Sequence, residues 1–175
     1  QLRDAGYRWV VDADIEQFFD TIAHGPLINQ LLRVLHGDAA VSAGITDQLS
    51  LAEWRLFMLM REWLRAPLLT VAGVLQTRGV GAPQGSPLSP LLANLYLDTL
   101  DDAMIDADHR IVRFADDFLV LCKTRSDAEA ALDLTRDVLD TLQLRLNTEK
   151  TRIVDFNTGF RFLGVTFVRT LAVPR

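Results

Sequence analysis

The 175-residue sequence predicts an α+β fold in which helices pack on one face of an antiparallel sheet. Residues 110–123, RIVRFADDFLVLCK, hold two apolar runs on either side of Asp116–Asp117, which is typical of a tight β-hairpin. Segments with helical spacing of apolar residues separate this hairpin from a first strand and follow it again. This order of elements is the split βαβ, or ferredoxin-like, pattern with an extra helical insertion.

The first elements are a strand and an amphipathic helix. Residues 7–14, YRWVVDAD, predict a strand that ends at Asp14. Pro26 is suited to the first turn of a helix, and apolar residues follow it at helical spacing up to Leu35. Residues 37–49 are small and polar without periodicity, so they are expected to form a loop.

The helical insertion begins at a capping box of Ser50 and Glu53 and ends before Pro67. Core packing is the plainest role for the apolar face behind this cap, which comprises Leu56, Phe57, Leu59, Met60, Trp63 and Leu64. Residues 70–80 are expected to form a small hairpin.

The second half of the chain begins with the Gly/Pro/Ser loop 81–90, GAPQGSPLSP, where Ser89 is expected to cap a buried helix that runs from Pro90 to about Asp106. After the central hairpin, Ser126 and Glu129 predict a second capping box and an amphipathic helix. Residues 152–156 and 161–168 are strand-like, and Gly164 interrupts the second run.

Composition narrows the possible classes of protein. The sequence is 49% hydrophobic, which is enough for a real core, and no apolar run approaches the roughly 18 residues of a membrane span. The net charge of −5 counts against a self-sufficient nucleic-acid binder, because such proteins are usually basic. The single cysteine, Cys122, lies in an apolar run and is expected to be a buried free thiol. We expect a cytoplasmic protein with no membrane partner and one domain over residues 1–175, as a fragment of a longer protein.

The topology suggests where the chemistry lies. If the first strand pairs with the central hairpin, Asp14 comes next to Asp116 at one edge of the sheet. Two carboxylates about 4 Å apart repel by roughly 4 kcal/mol at an effective dielectric near 20, so such a pair needs a cation or a proton. Hard carboxylate oxygens suit Mg²⁺. Taken alone, Asp116 and Asp117 are ordinary turn residues, and Asp14 is an ordinary strand end.

Two further features add to this constellation, although each alone has a simpler explanation. Gly81 and Gly85 allow close backbone approach to a ligand, and Gln84 offers both a donor and an acceptor, but the loop also suits a turn before a capped helix. Lys150 could neutralise or protonate a departing phosphate, although lone lysines are usually solvated surface residues.

Together these segments resemble a known family. DIEQFFD (14–20), GAPQGSPLSPLLANLYLDTLD (81–101), RFADDFLV (113–120), LRLNTEKT (144–151) and FRFLGVTF (160–167) are similar to the palm motifs of reverse transcriptases, in the same order. The sequence of residues 83–98, PQGSPLSPLLANLYLD, is most similar to the bacterial group II intron-like lineage. That lineage includes intron-encoded enzymes and reverse transcriptases linked to CRISPR integrases, and phrase similarity slightly favours the CRISPR branch.

The resemblance implies a role for each matching position. Asp14, Asp116 and Asp117, with the carbonyl of Ile15, would bind two Mg²⁺ ions, with Mn²⁺ as an alternative, and Lys150 would approach the triphosphate. The implied substrate and primer contacts are Phe19 under the sugar of the incoming dNTP, Gln84 and Gly85 beside the nucleotide and template, Phe114 and Ala115 under the primer end, and Phe162, Leu163 and Gly164 in the primer grip.

The resemblance also implies an activity and partners. The expected reaction is RNA-directed DNA synthesis on an RNA template, with a DNA or RNA primer and dNTPs, in association with intron RNA or CRISPR integrase proteins. Phe114 stands where the family usually has tyrosine, and no basic fingers motif or thumb is recognisable around the palm motifs. The alternatives are a template-independent nucleotidyltransferase, a non-catalytic nucleic-acid-binding module, and a structural subunit with a vestigial site.

Overall fold

The structure is a computed structural model and describes residues 5–36, 49–69, 72–76, 79–83, 85–168 and 171–174. The helices are α1 (Phe18–Thr21), α2 (His24–His36), α3 (Leu51–Arg65), α4 (Ser89–Asp106) and α5 (Arg125–Thr141). The strands are β1 (Trp9–Asp14), β2 (Leu68–Leu69), β3 (Leu75–Gln76), β4 (Arg110–Phe114), β5 (Asp117–Cys122), β6 (Arg152–Asp155), β7 (Phe160–Phe162), β8 (Val165–Val168) and β9 (Leu171–Pro174). The chain divides into two compact units, the first with residues 1–16 and 97–175 and the second with residues 17–96.

The first unit contains an antiparallel sheet with the strand order β4-β5-β1-β6. Strand β1 pairs with β5 from Trp9 opposite Cys122 to Asp14 opposite Asp117. The first strand and the central hairpin are therefore neighbours in one sheet, as the sequence predicts, and the predicted α+β fold class is confirmed. Cys122 is a buried free thiol, also as predicted.

Both faces of this sheet are covered near its centre. On one face, Val10, Leu119 and Leu121 form a buried cluster with Phe156, Phe160 and Phe162. Residues of the alternate set, Val11, Ala13, Phe118 and Val120, are also buried, and α5 contacts β1, β5 and β6. Burial of each such side chain is worth about 1.5–3 kcal/mol, so this packing holds the strand ends in fixed register.

The turn of the central hairpin differs from the predicted one by one residue. Phe114 pairs with Asp117, so the turn residues are Ala115 and Asp116, and Asp117 already belongs to β5. Ala115, not an aspartate, has the positive φ of 55°. Pairing of Asp14 with Asp117 extends the ladder by one residue and thereby moves the turn.

Helix starts are partly as predicted. The capping box of Ser50 and Glu53 is confirmed, with Ser50 Oγ accepting from the Glu53 amide. The predicted box of Ser126 and Glu129 is wrong, because Thr124 caps α5 and Asp127 completes the box.

Ser89 is the first residue of its helix, and its hydroxyl donates to the carbonyl of Pro83 in the preceding loop. The prediction that Ser89 caps the helix from outside is therefore wrong, whereas the predicted end at Asp106 is confirmed.

The predicted packing role of the α3 apolar face is only partly correct. Phe57 and Leu64 are buried, whereas Leu56 and Leu59 are 43% and 69% exposed. Helix α2 contacts α3, but the apolar face of α3 is not buried along its whole width.

Two predicted loop or hairpin regions lie partly outside the described residues. A small hairpin pairs β2 with β3, four residues in all, close to the predicted hairpin at 70–80. The predicted loop at 37–49 lies outside the described residues except for Leu49. The run 161–168 forms a hairpin of β7 and β8, to which β9 adds a third strand that the sequence did not predict.

Candidate active site

Three carboxylates share one face of the sheet at the end of β1. Asp12 and Asp14 are two residues apart on β1, and Asp117 of β5 lies opposite Asp14, so the pleat directs all three to the same side. Asp116 precedes Asp117 in the hairpin turn. All four aspartates line an open cavity of about 660 Å³ within the first unit, whose other lining residues are Glu149, Lys150, Arg152, Arg161, Leu163 and Gly164.

Lys150 is held beside the carboxylates by a local turn. The side-chain oxygen of Asn147 accepts from the amides of Glu149 and Lys150, and the Asn147 amide donates to the Asp14 carbonyl at 2.8 Å. The Lys150 ammonium then donates to Asp14 Oδ2 at 3.0 Å. The structure thus brings Lys150, which the resemblance places near the triphosphate, into contact with Asp14.

A second ion pair lies beside the first. The guanidinium of Arg152 donates to Asp12 Oδ2 through Nε at 3.0 Å and Nη2 at 2.9 Å. Because Asp12 is opposite Arg152 in the ladder of β1 and β6, strand register sets this contact. The cavity therefore combines an acidic floor with cations along one wall.

Burial and neighbouring charges both raise the pKa of two of the carboxylates. Burial raises the pKa of Asp116, and the charge of Asp14 raises it further. Burial is also the largest cause that raises the pKa of Asp117, followed by the charges of Asp12, Asp14 and Asp116. The pKa of Lys150 is raised, first by its hydrogen bond to Asp14 and then by the charge of that carboxylate.

These donors fit a hard divalent cation in chemistry, although the described residues contain no ready-made cluster of three or more acidic, histidine or cysteine ligands. Carboxylate oxygens with remaining sites filled by water or phosphate are the usual environment of Mg²⁺. Burial first, and then the charges of neighbouring aspartates, raise the pKa of Asp116 and Asp117, so a cation in the cavity would favour their charged forms.

The direction of the Ile15 carbonyl follows from the backbone hydrogen bonds of its neighbours. Ile15 and Leu146 form an antiparallel bridge whose hydrogen bonds are made by their neighbours, from the Glu16 amide to the Arg145 carbonyl and from the Asn147 amide to the Asp14 carbonyl. In such a pair the peptide groups of the central residue point away from the partner segment. The Ile15 carbonyl is therefore directed away from residues 145–147, while its side chain is buried.

The β7–β8 hairpin forms one edge of the cavity. Phe162 is buried in the sheet cluster, whereas Leu163 is 53% exposed and lines the cavity with Gly164. Leu163 and Gly164 have φ values of 48° and 78°, so both residues of this two-residue turn are left-handed, as in a type I′ turn. Phe162 thus anchors a turn that presents the next two residues to the cavity.

Phe114 lies on the same face of the sheet as Asp117, with which it is paired. Its ring is 65% exposed, and Val112 on the same face is also exposed. Ala115 follows in the turn. An open apolar surface therefore adjoins the carboxylates.

Phe19 and Gly85 lie in the second unit. They line a cavity of about 520 Å³ with Ser86, Pro87, Ser89 and Pro90. Phe18 is buried and packs edge-on against Phe19 with ring centroids 5.1 Å apart. Gln84 lies outside the described residues.

A close backbone approach fixes Phe19 relative to the Gly81 loop. The amide of Ala82 donates to the Phe19 carbonyl at 2.7 Å, and His24 Nε2 lies 2.8 Å from the Gly81 carbonyl. A Cβ on Gly81 would come within 2.9 Å of the carbonyl oxygens of Phe19 and Asp20. Glycine at position 81 is thus required for this approach, which is to the chain's own residues 19 and 20, whereas the sequence analysis expected an approach to a ligand.

Sequence reasoning missed four residues of the first-unit cavity, namely Asp12, Glu149, Arg152 and Arg161. A signal for Asp12 was present, because a residue two positions before Asp14 on a strand shares its face. Arg152 could be found only from the register between β1 and β6, which the sequence does not specify.

No helix in the described part of the chain is long and apolar enough to cross a membrane.

Comparison with known proteins gives a consistent result. Residues 1–167 match the family described as "Reverse transcriptase (RNA-dependent DNA polymerase)". Protein YkfC of Escherichia coli (strain K12) is 30% identical over 207 residues, which cover 97% of this chain and 50% of YkfC. Group II intron-encoded protein LtrA of Lactococcus lactis subsp. cremoris is 34% identical over 96 residues, which cover 55% of this chain and 13% of LtrA. The chain thus spans half the length of YkfC and a smaller share of LtrA.

Solved structures show the same fold. Apo telomerase from Candida tropicalis matches 91% of this chain and 31% of its own chain, with a TM-score of 0.68 and 14% identity. Because the family match extends over nearly the whole sequence and its motifs supply the carboxylates of the cavity, the chain belongs to the reverse transcriptase family, and its relatives include group II intron-encoded proteins.

Proposed function

We propose that the protein containing this chain is an RNA-directed DNA polymerase, which adds dNTPs to the 3′-hydroxyl of a primer paired with an RNA template. The observation that carries this proposal is the convergence of Asp14, Asp116 and Asp117 on one cavity, although the first two are 102 positions apart in sequence. Membership of the reverse transcriptase family supports the same reaction.

The carboxylates would hold the cofactor. Asp14, Asp116 and Asp117, with the Ile15 carbonyl, would bind two Mg²⁺ ions, and Mn²⁺ is the alternative. When bound, these ions would lower the pKa of the primer hydroxyl and stabilise charge on the transferring and departing phosphates. The primer hydroxyl would release its proton to solvent water, and its oxygen would bond to the α-phosphorus of the dNTP as the bond from that phosphorus to the bridging oxygen breaks. Pyrophosphate would then leave.

Lys150 would serve the departing pyrophosphate. Its ammonium is protonated at neutral pH, so it can donate a charge-assisted hydrogen bond, or a proton, to an oxygen of the leaving group. Its present contact with Asp14 is exposed to solvent and therefore weak enough to exchange for a phosphate oxygen.

Other residues would bind and orient the substrates. The Phe19 ring would lie under the deoxyribose and exclude a 2′-hydroxyl, with Gln84 and Gly85 beside the nucleotide and template. Phe114 and Ala115 would support the primer end, and Phe162, Leu163 and Gly164 would form the primer grip. The exposed ring of Phe114 and the exposed side chain of Leu163 support these assignments.

We propose an intracellular setting with either intron RNA or CRISPR integrase proteins as partners. The similarity to group II intron-encoded protein LtrA supports the intron context. An integrase-like domain beside this chain in the full-length sequence would favour the CRISPR context, and a maturase domain would favour the intron context. We also propose that residues 1–175 form one palm domain with part of the fingers.

The direct test is primer extension by the full-length protein on an RNA template with dNTPs and Mg²⁺. Asp116→Asn keeps the side-chain volume but removes the charge, so we expect at least about a 100-fold loss of rate, which corresponds to several kcal/mol of lost stabilisation. Asp137→Asn, a change at an exposed position of α5, is the matched control and should extend normally.

The outcomes separate the candidate functions. Extension by Asp116→Asn within twofold of the unsubstituted protein would refute the assignment. Extension without a template would favour a template-independent nucleotidyltransferase, and Mg²⁺-independent RNA binding without any extension would favour a non-catalytic module.

A further inference from the structure

The residue that stands out beyond the cavity is Arg113 of β4. It pairs with Phe118, and therefore lies on the opposite face of the sheet from Phe114 and Asp117. Its side chain is only 8% exposed. A guanidinium is expensive to bury unless its donors are satisfied, so the contacts of Arg113 indicate what it does there.

One side of the guanidinium is fixed by an acidic residue of α4. Nε of Arg113 donates to Asp101 Oδ1 at 2.9 Å and to Oδ2 at 3.2 Å, and Nη2 also donates to Oδ2. This two-pronged contact sets the plane of the guanidinium as well as its position.

The other side reaches the turn that carries Asp116. Nη1 of Arg113 donates to the carbonyl of Ala115 at 3.1 Å. Ala115 has a φ of 55°, a left-handed conformation that alanine rarely adopts. The residue directly after it is Asp116, so the peptide that Arg113 grips is the one joining Ala115 to Asp116.

We propose that Arg113 is a positioning residue, which uses Asp101 as an anchor to hold Ala115 in its left-handed conformation and so presents Asp116 to the cavity. The positioning role rests on the proposed polymerase function, whereas the effect on the turn does not. Arginine is needed because one planar group must serve two partners in different directions, and lysine has a single nitrogen.

The first test compares full-length variants in steady-state primer extension. Arg113→Lys keeps the charge beside Asp101 but loses the directed bond to the Ala115 carbonyl. We expect kcat to fall about 10- to 100-fold, the loss typical of one hydrogen bond from a charged donor, with KM for dNTP within about threefold of the unsubstituted protein. Arg136→Lys, which alters an exposed ion pair of α5, is the matched control and should leave both constants unchanged.

The second test is rescue. Glycine adopts a positive φ without strain, so Ala115→Gly in the Arg113→Lys background should restore kcat about fivefold beyond the effect of Ala115→Gly alone. An ion pair that served only overall stability would give no such rescue. Absence of rescue, or Arg113→Lys activity within twofold of normal, overturns the proposal.

A third measurement does not depend on polymerase activity. Native-state hydrogen exchange of residues 113–118 should be at least about tenfold faster in Arg113→Lys and should slow again in the double variant, while the exchange of α5 stays unchanged. Unaltered exchange overturns the role of Arg113. If the unsubstituted protein extends no primer but exchange follows this pattern, the polymerase proposal fails and the role of Arg113 in the turn stands.

Discussion

The ionised side chain of Asp117 is expected to lower the stability of the folded protein and to favour binding of a cation. Asp117 is the ladder partner of Asp14, and the charges of Asp12, Asp14 and Asp116 act on its carboxylate. Burial and these like charges raise its pKa, so the folded state holds its proton more tightly than the unfolded state does. A site prepared for a cation is expected to carry such repulsion when no cation is bound.

We therefore predict that Asp117→Asn stabilises the full-length protein in the absence of divalent ions. The folded pKa is raised, so the penalty for the charged form is absent below the unfolded pKa near 4, appears as the pH rises through that value and is complete above the raised pKa. At pH 7 we expect a rise in Tm on the order of 1–3 °C, and no rise at pH 3. Thermal unfolding in EDTA across this range measures the effect.

The control for this prediction is Asp137→Asn, which changes an exposed aspartate of α5. A gain in Tm that is equal at pH 3 and pH 7, or equal in the two variants, would contradict the penalty that burial and the neighbouring charges place on the ionised Asp117. Added Mg²⁺ should stabilise the unsubstituted protein more than Asp117→Asn, which links the stability measurement to cation binding.

For single residues, the sequence predicted which acidic side chains form the site better than it predicted the turn that carries them. Asp14, Asp116, Asp117 and Lys150 meet in one cavity as predicted. The two turn residues were misplaced by one position, because Asp117 pairs with Asp14 and Phe114, which leaves Ala115 and Asp116 in the turn. Tertiary register decided between two turns that the local sequence could form equally well.

Helix caps show the same competition at the scale of elements. The segment TRSDAE (124–129) contains two overlapping cap signals, and the sequence pattern favoured Ser126 with Glu129. In the structure Thr124 is extended, with φ of −119° and ψ of 163°, and lies two residues after the end of β5 at Cys122. Because Thr124 is still in the extended conformation that an N-cap adopts, the helix starts after Thr124. Ser126 then lies in the first turn of the helix.

This correction yields a prediction for two neighbouring hydroxyl residues. Thr124→Ala removes the oxygen that accepts from the Asp127 amide at 3.1 Å, so we expect a loss of about 1 kcal/mol in the free energy of unfolding. Ser126→Ala should change it by less than about 0.5 kcal/mol, since it lies inside the helix. Denaturant unfolding followed by circular dichroism measures both, and a larger loss for Ser126→Ala would contradict the assignment of the cap.

Long-range strand pairing sets the limit of sequence prediction for elements. The pairing of the first strand with the central hairpin followed from apolar runs and turn chemistry, but the place of β6 beside β1, the strand β9 and the order β7-β8-β9 did not. The exposed Leu56 and Leu59 of α3 were also missed, because periodicity defines an apolar face without showing how much of it a neighbour covers.

The whole molecule has a charge balance that is unusual for its proposed substrates. The chain carries a net charge of −5. In the cavity, Lys150 and Arg152 are each paired with an aspartate, which reduces the positive charge they offer to a phosphate backbone. Since the chain spans half the length of YkfC, we propose that the remainder of the full-length protein supplies most of the contacts with nucleic acid.

The final prediction concerns the affinity of residues 1–175 for nucleic acid when they are produced alone. At physiological salt we expect them to bind an RNA–DNA primer–template at least about 100-fold more weakly than the full-length protein, because neutralised phosphates supply most of this affinity. The logarithm of affinity should also fall less steeply with the logarithm of salt concentration, by about 0.9 for each phosphate contact that is missing. Fluorescence anisotropy over a range of salt concentrations measures both, with a cooperative thermal transition as the control that the shorter chain is folded. Equal affinity and an equal salt slope for the two proteins would place the nucleic-acid contacts within residues 1–175, contrary to this charge argument.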